Sequence, residues 1–170
     1  MYQSSPLPEK FARFLAHWQA LRADAHVPTL ADFLDKPLPQ LQPWISIFDV
    51  VENNLVLRLV GTSMVQFIGR DFTGTTLEDF AAPDGREEIR SPYLKIIQQP
   101  CGGLASTLWA TSHGRDVEIR SIGLPLVRKS GASVAWFNEP ARPMDLGEKG
   151  VVVRRRMSQE WVDIGFGIPV

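Results

Sequence analysis

The chain has 170 residues, 44% apolar and 22% charged, the balance of one self-folding globular domain and not of a disordered tail. Its 18 basic and 19 acidic side chains leave a net charge of −1, so no global field steers it toward nucleic acid or an anionic membrane. A single cysteine, Cys101, excludes an intramolecular disulfide and a cysteine-based zinc cage; with no leader-like start and no apolar run long enough to span a bilayer, a cytoplasmic location is expected.

Between Pro8 and Asp24 the residues Phe11, Phe14, Leu15, Trp18 and Leu21 recur at helical spacing, with Lys10, Arg13, His17 and Asp24 opposite, which predicts an amphipathic helix. Thr29 and Asp32 form a capping pair for a second, short helix; Pro37, Pro39 and Pro43 then set residues 1–40 apart as flanking helices. Trp44 to Val51 and Leu55 to Val60 are runs of strand formers joined by Glu52-Asn53-Asn54, a hairpin in which Leu55, Leu57 and Leu59 share a face. Gly61-Thr62-Ser63 opens a helical turn carrying Met64, Val65, Phe67 and Ile68, closed by Gly69, and Thr75 with Glu78 caps another ending near Phe80.

Asp84 with Glu87 begins a longer helix whose Ile89, Tyr93, Ile96 and Ile97 point one way; Pro92 kinks it or marks its true start, and Pro100 stops it. Strand signals follow at Gly103 to Thr111, Arg115 to Val127 and Ala132 to Asn138, joined by His113-Gly114 and Lys129-Ser130-Gly131 turns as an antiparallel meander. Residues 141–170 read as a C-terminal extension with a strand-like Val151-Val152-Val153 and then Arg154-Arg155-Arg156, an exposed strand edge or solvated terminus. This order predicts an α+β fold, one antiparallel sheet with helices on one face and an extra amphipathic helix at the N-terminus.

The stretch from Phe14 to Phe80 resembles a compact bacterial PAS family, alphaproteobacterial in type and often single-domain. The resemblance rests on Arg58, Leu59, Gly61 and Thr62, then on Gly69, Asp71, Thr73 and Gly74, and extends more loosely to about Pro140. It implies a PAS core at 41–140, a five-stranded sheet of order 2-1-5-4-3 interrupted after its second strand, and a cavity under the inserted helices. PAS domains use that cavity for haem, flavin, carboxylic acids or no known ligand. The implied function is a stand-alone sensory domain, not an enzyme, that binds a small molecule or a partner protein and signals through association.

Candidate cavity residues are Phe48, Arg58, Met64, Phe67, Phe72, Tyr93, Trp109 and Trp136, because ligand pockets are mostly apolar with a few polar groups. A plain packed core is the alternative. Arg58 suits a ligand carboxylate or an internal pair with Asp71 or Glu78, the second being simpler. Gly69 to Gly74 lacks the spacing of a phosphate loop and reads as a turn held by Asp71 and Thr73. His17, His26 and His113 are scattered without an acidic or nucleophilic companion, so no catalytic or metal-binding constellation is expected.

Asp84 to Gln99 offers no histidine, which argues against haem. Flavin photosensors of the PAS type carry Asn-Cys-Arg-Phe where this chain has Gly69-Arg70-Asp71-Phe72, which argues against flavin, and Cys101 reads as a small buried hydrophobe. The stripe of Phe11, Phe14 and Trp18 needs a partner, either its own sheet or a second subunit in a homodimer. Two other functional readings stand beside the sensor: a small isomerase or hydrolase with a titratable group in its cavity, and a ligand-free interaction module with a filled core.

Overall fold

The computed structural model describes residues 6–24 and 26–170. The predicted amphipathic helix is α1, Glu9–Ala20; Thr29 accepts the Asp32 backbone N–H at 3.0 Å to start α2, Leu30–Asp35. The hairpin consists of β1, Ile45–Val51, and β2, Asn54–Val60, turned by Glu52 and Asn53 at positive φ, the conformation a two-residue hairpin loop demands. Helix α3, Thr62–Ile68, two short 3-10 turns and α4, Arg86–Gln98, then cross the sheet. The meander returns as β3, Gly102–Thr111, β4, Val117–Arg128, and β5, Gly131–Pro140.

The sheet has six strands, not five. Strand β6, Gly150–Val162, lies antiparallel beside β3 and gives the order β2-β1-β5-β4-β3-β6, within which the expected 2-1-5-4-3 is intact. Only Val151 to Val153 signalled this strand, because Arg154, Arg155 and Arg156 interrupt the apolar run, and an edge strand tolerates charge. Its register against β3 skips Val151, Arg154 and Met157 in turn, and such bulges twist an edge away from further pairing.

A bulge also falls in the first hairpin. The register passes from Ile47 opposite Leu59 to Phe48 opposite Leu57, leaving Arg58 as the extra residue. The expectation that Leu55, Leu57 and Leu59 share a face is corrected by it: Leu55 and Leu57 join the core under α3 and α4, and Leu59 joins the core under α1. Two smaller corrections concern the crossing segment. Thr76 pairs with Asp79 to cap the turn at Leu77–Asp79, while the Thr75 hydroxyl donates to the Phe72 carbonyl. Pro92 neither starts α4 nor ends it, and is one of its buried residues.

Both faces of the sheet are covered. On one, α1 and α2 pack Phe11, Phe14, Trp18 and Phe33 onto Ile45, Ile47, Leu124 and Phe137; on the other, α3 and α4 pack onto Phe48, Ile119, Val134 and Trp136. Phe11 is 4% exposed and Phe14 and Trp18 are fully buried, with the Trp18 indole donating to the Pro125 carbonyl at 2.7 Å. Of the two partners offered for these three residues, a second subunit or the chain's own sheet, the structure packs them against the apolar outer face of that sheet. No helix among the described residues is long and apolar enough to cross a membrane.

Replacing Phe14 by Ala is expected to cost about 3–5 kcal/mol, the range for truncating a buried aromatic. The loss should appear as a lower urea midpoint with the mass in light scattering unchanged, and an unaltered midpoint would remove α1 from the core.

Candidate functional site: the space under α3 and α4

The residues that looked most like a signature build a scaffold. Gly61 precedes α3 and donates to the Ile45 carbonyl at 2.7 Å; a Cβ there would lie 2.3 Å from the Gln42 carbonyl oxygen, so only glycine lets these backbones meet. Thr62 is the first residue of α3, and Gly69 ends it at φ +86°. Asp71 accepts the Thr73 backbone N–H at 2.8 Å and its hydroxyl at 2.7 Å, and Gly74 donates to the Leu57 carbonyl at 2.7 Å, closing the loop onto β2. This is the turn predicted for the segment.

Beneath that scaffold lies an interior space of about 80 Å³ bounded by the sheet, α3 and α4. Of the eight candidates, Phe48, Met64, Phe72, Tyr93, Trp109 and Trp136 line it. Phe67 stands behind, its ring 5.2 Å from that of Trp109 in an edge-on contact. Arg58 is elsewhere. On the outer side of β2, where alternation from Leu57 puts it, it pairs with Asp49 at 2.6 Å, not with Asp71 or Glu78. Ser133 donates to Asp49 at 2.7 Å and Arg128 stands 3.4 Å away. Burial works to raise the Asp49 pKa but is outweighed by the hydrogen bonds from Arg58 and Ser133 and the nearby guanidinium charges, which hold it below the usual carboxylate range.

Sequence reasoning missed the polar side of the space. Ser121 donates to Asn138 Oδ1 at 2.8 Å, and Asn138 Nδ2 donates to Ser46 Oγ at 3.1 Å and to the Trp44 carbonyl at 3.0 Å. All three side chains line the space and satisfy one another. Strand alternation carries the signal, since Asn138 follows Trp136 by two residues and Ser46 precedes Phe48 by two. Phe80 and Arg156 were also missed, the first in a turn and the second within the arginine run. Trp136 Nε1 is buried and has no hydrogen-bond partner among the described residues. The indole fits because Gly123 lies opposite it in the β4–β5 register, where a Cβ would meet the ring at 2.6 Å.

Cys101 is fully buried, and burial, with a contribution from the Asp163 charge, pushes its thiol pKa up to about 11, as befits a small core residue. His17 is half-buried with its ring 6.0 Å from Phe33. His113 is less isolated than its sequence position suggested: its Nδ1 stands 3.9 Å from Asp145, beside buried Glu148. Arg142 spans both Glu148 oxygens at 2.9 Å, and Thr111 donates to the same carboxylate at 2.9 Å. Led by the Arg142 hydrogen bonds and joined by the Asp145 backbone N–H, these donors hold the Glu148 pKa far below its ordinary value. The carboxylate is thus neutralised from within the protein, and the group is a tie for the segment leading into β6.

Two outcomes are expected. Gly123→Ala should cost about 1–3 kcal/mol by overpacking and displace Trp136, seen in denaturant melts and intrinsic fluorescence; a neutral substitution would show that the indole does not lie against β4. Asp49 has a folded pKa below its unfolded value, so its contribution is present near neutrality and is lost as pH falls through the acidic range. Asp49→Asn should therefore lose about 1 kcal/mol at pH 7, and its stability should change less than the parent's between pH 7 and about pH 3. Parallel stability curves for the two proteins would contradict the pairing.

Comparison with curated proteins and with solved structures returns no match. A family model described as PAS domain matches residues 8–137, from the start of the α1 segment through most of β5. That span holds the hairpin, the inserted helices and the meander in the order that the sheet displays. The chain belongs to the PAS-domain family, whose members serve as sensory, signalling or interaction modules.

Proposed function

We propose that this protein is a cytoplasmic sensor whose interior space under α3 and α4 receives a small molecule, and that occupancy is passed to a partner protein or to a second copy of the chain. The observation that carries the reading is the wall of that space, in which aromatic and aliphatic side chains surround a few fixed polar groups, as in small-molecule sites generally. No carboxylate, histidine, lysine or cysteine is among the lining residues, which supports a receptor over an isomerase or hydrolase. The stripe on α1 is occupied by its own sheet, so association in this proposal uses another surface.

A second reading, the ligand-free interaction module, draws on the small volume. About 80 Å³ falls short of the roughly 150 Å³ that holds benzene in an engineered cavity. Filling the space separates the two. Ala105 lines it, and Ala105→Leu introduces an isobutyl group there.

The filled variant should fold with stability equal to or up to about 2 kcal/mol above the parent. Native mass spectrometry and a thermal-shift screen of small metabolites should find a ligand for the parent and none for Ala105→Leu, with the parent stabilised by about 2.7 kcal/mol at a hundredfold excess over Kd. Light scattering with and without that ligand reads the association step. If the parent carries nothing, responds to nothing in the screen and gains stability on filling, the receptor reading is wrong and the interaction module stands.

A further inference from the structure

The outer face of the sheet is only half covered. Helices α1 and α2 lie over β1, β5 and one end of β4. Beyond them an open groove of about 180 Å³ runs between Pro8 and Phe11 on one side and Ser158 and Glu160 on the other, floored by Leu104 and Ser106. Three rungs of the ladder cross this half. Leu104 is flanked by Ile122 on β4 and Glu160 on β6, Ser106 by Arg120 and Ser158, and Leu108 by Glu118 and Arg155. Residues directly opposite one another share a face, so β3 supplies a central strip with an apolar side chain at each end, and its two neighbours supply charged flanks. Those charges are weakly answered within the chain. Arg120 stands 4.0 Å from Glu118, and the exposed side chains of Arg155 and Glu160 make no ion pair among the described residues.

We propose that this half-face binds a second copy of the chain about a two-fold axis lying along β3. The contact supplies the association step of the proposed sensor and rests on that reading for its role. Rotation about β3 exchanges the two flanks. Leu104 and Leu108 then meet their own counterparts, Glu118 faces the second copy's Arg155, and Arg120 faces the second copy's small Ser158, one rung from its Glu160. Every contact occurs twice, and each of the four charges has an opposite one to face, the self-complementarity that a two-fold contact demands. An axis at right angles to β3 fits worse, because it sets Arg120 on Arg120 and α1 on α1. A helix about 10–12 Å across fills the whole gap between sheets stacked about 10 Å apart. With the axis along β3, the second copy's α1 passes outside β6. Arg155, Ser158 and Glu160 all lie beyond residue 137, so half of this complementarity comes from a strand outside the family match.

The test is sedimentation velocity on the full chain with no ligand added, where a reversible dimer with a micromolar Kd is expected. Arg155→Glu and Glu118→Arg should each weaken it by about tenfold or more, since each sets like charges together at two places. Combining the two in one chain should restore the dimer, because the pair is then reversed and again opposite in sign, an outcome that a merely structural effect of either change does not produce. Should Glu118→Arg fold poorly, Glu160→Arg with and without Arg120→Glu provides a second swap of the same kind. A parent that stays monomeric at its highest soluble concentration, a dimer indifferent to the single reversals, or single reversals that their combination does not repair overturns the two-fold contact. None of these outcomes involves the interior space, so the receptor reading stands or falls separately on its own mass-spectrometric and thermal-shift screen.

Discussion

Strands β1, β4 and β5 are apolar on both faces, and the architecture follows from that. An antiparallel sheet commonly leaves one face to water and alternates polar with apolar residues. Here Ile45, Ile47, Ile122, Leu124 and Phe137 project to one side while Phe48, Ile119, Val134 and Trp136 project to the other. Each such side chain contributes about 1.5–3 kcal/mol when taken out of water, so neither face can be left bare. The inserted helices cover one side, and α1 and α2 must cover the second, which turns what looked like an appendage into half of the core.

That division of labour shapes the interior. The outer core, sealed by α1, packs Phe11 and Phe14 each in ring contact with Phe137. The inner core is built around large rings that must lie against β-structure, and Trp136 does so by having Gly123 as its neighbour across the ladder. Tyr93 closes on it from α4, with ring centroids 5.0 Å apart. Interiors are otherwise close-packed, so a space left among rings of this size, with an internally satisfied polar trio on its wall, is the distinctive feature of this side. Side chains of β3, β5, β6 and α4 all border it.

The C-terminal segment completes the wall. Arg142 and Glu148 fix its path, Lys149 exchanges hydrogen bonds with Ser112 and donates to the Gln66 carbonyl, and β6 then runs the length of β3. Bridging between Phe80 to Ala82 and Val153 ties the inserted helices to the same strand. The repeated bulges that protect this edge also help decide which of its side chains face inward, and Arg156 is among those that do.

The sequence by itself determined the α+β plan, the hairpin and the meander, because period-two and helical spacing, turn glycines and capping pairs are local signals read within a few residues, while the strand order was implied by the resemblance to the PAS family. It also picked out most of the aromatic lining, since large apolar side chains with few polar neighbours are what an interior space is built from. Tertiary structure decided the rest. A single inserted residue at Arg58 reversed the face of Leu59, and alternation gives no warning of a bulge. Which surface would bury Phe14, whether Arg156 would meet solvent or the interior, and which carboxylate would answer Arg58 all depended on contacts between residues far apart in the chain, where side-chain chemistry allows several partners and only packing selects one.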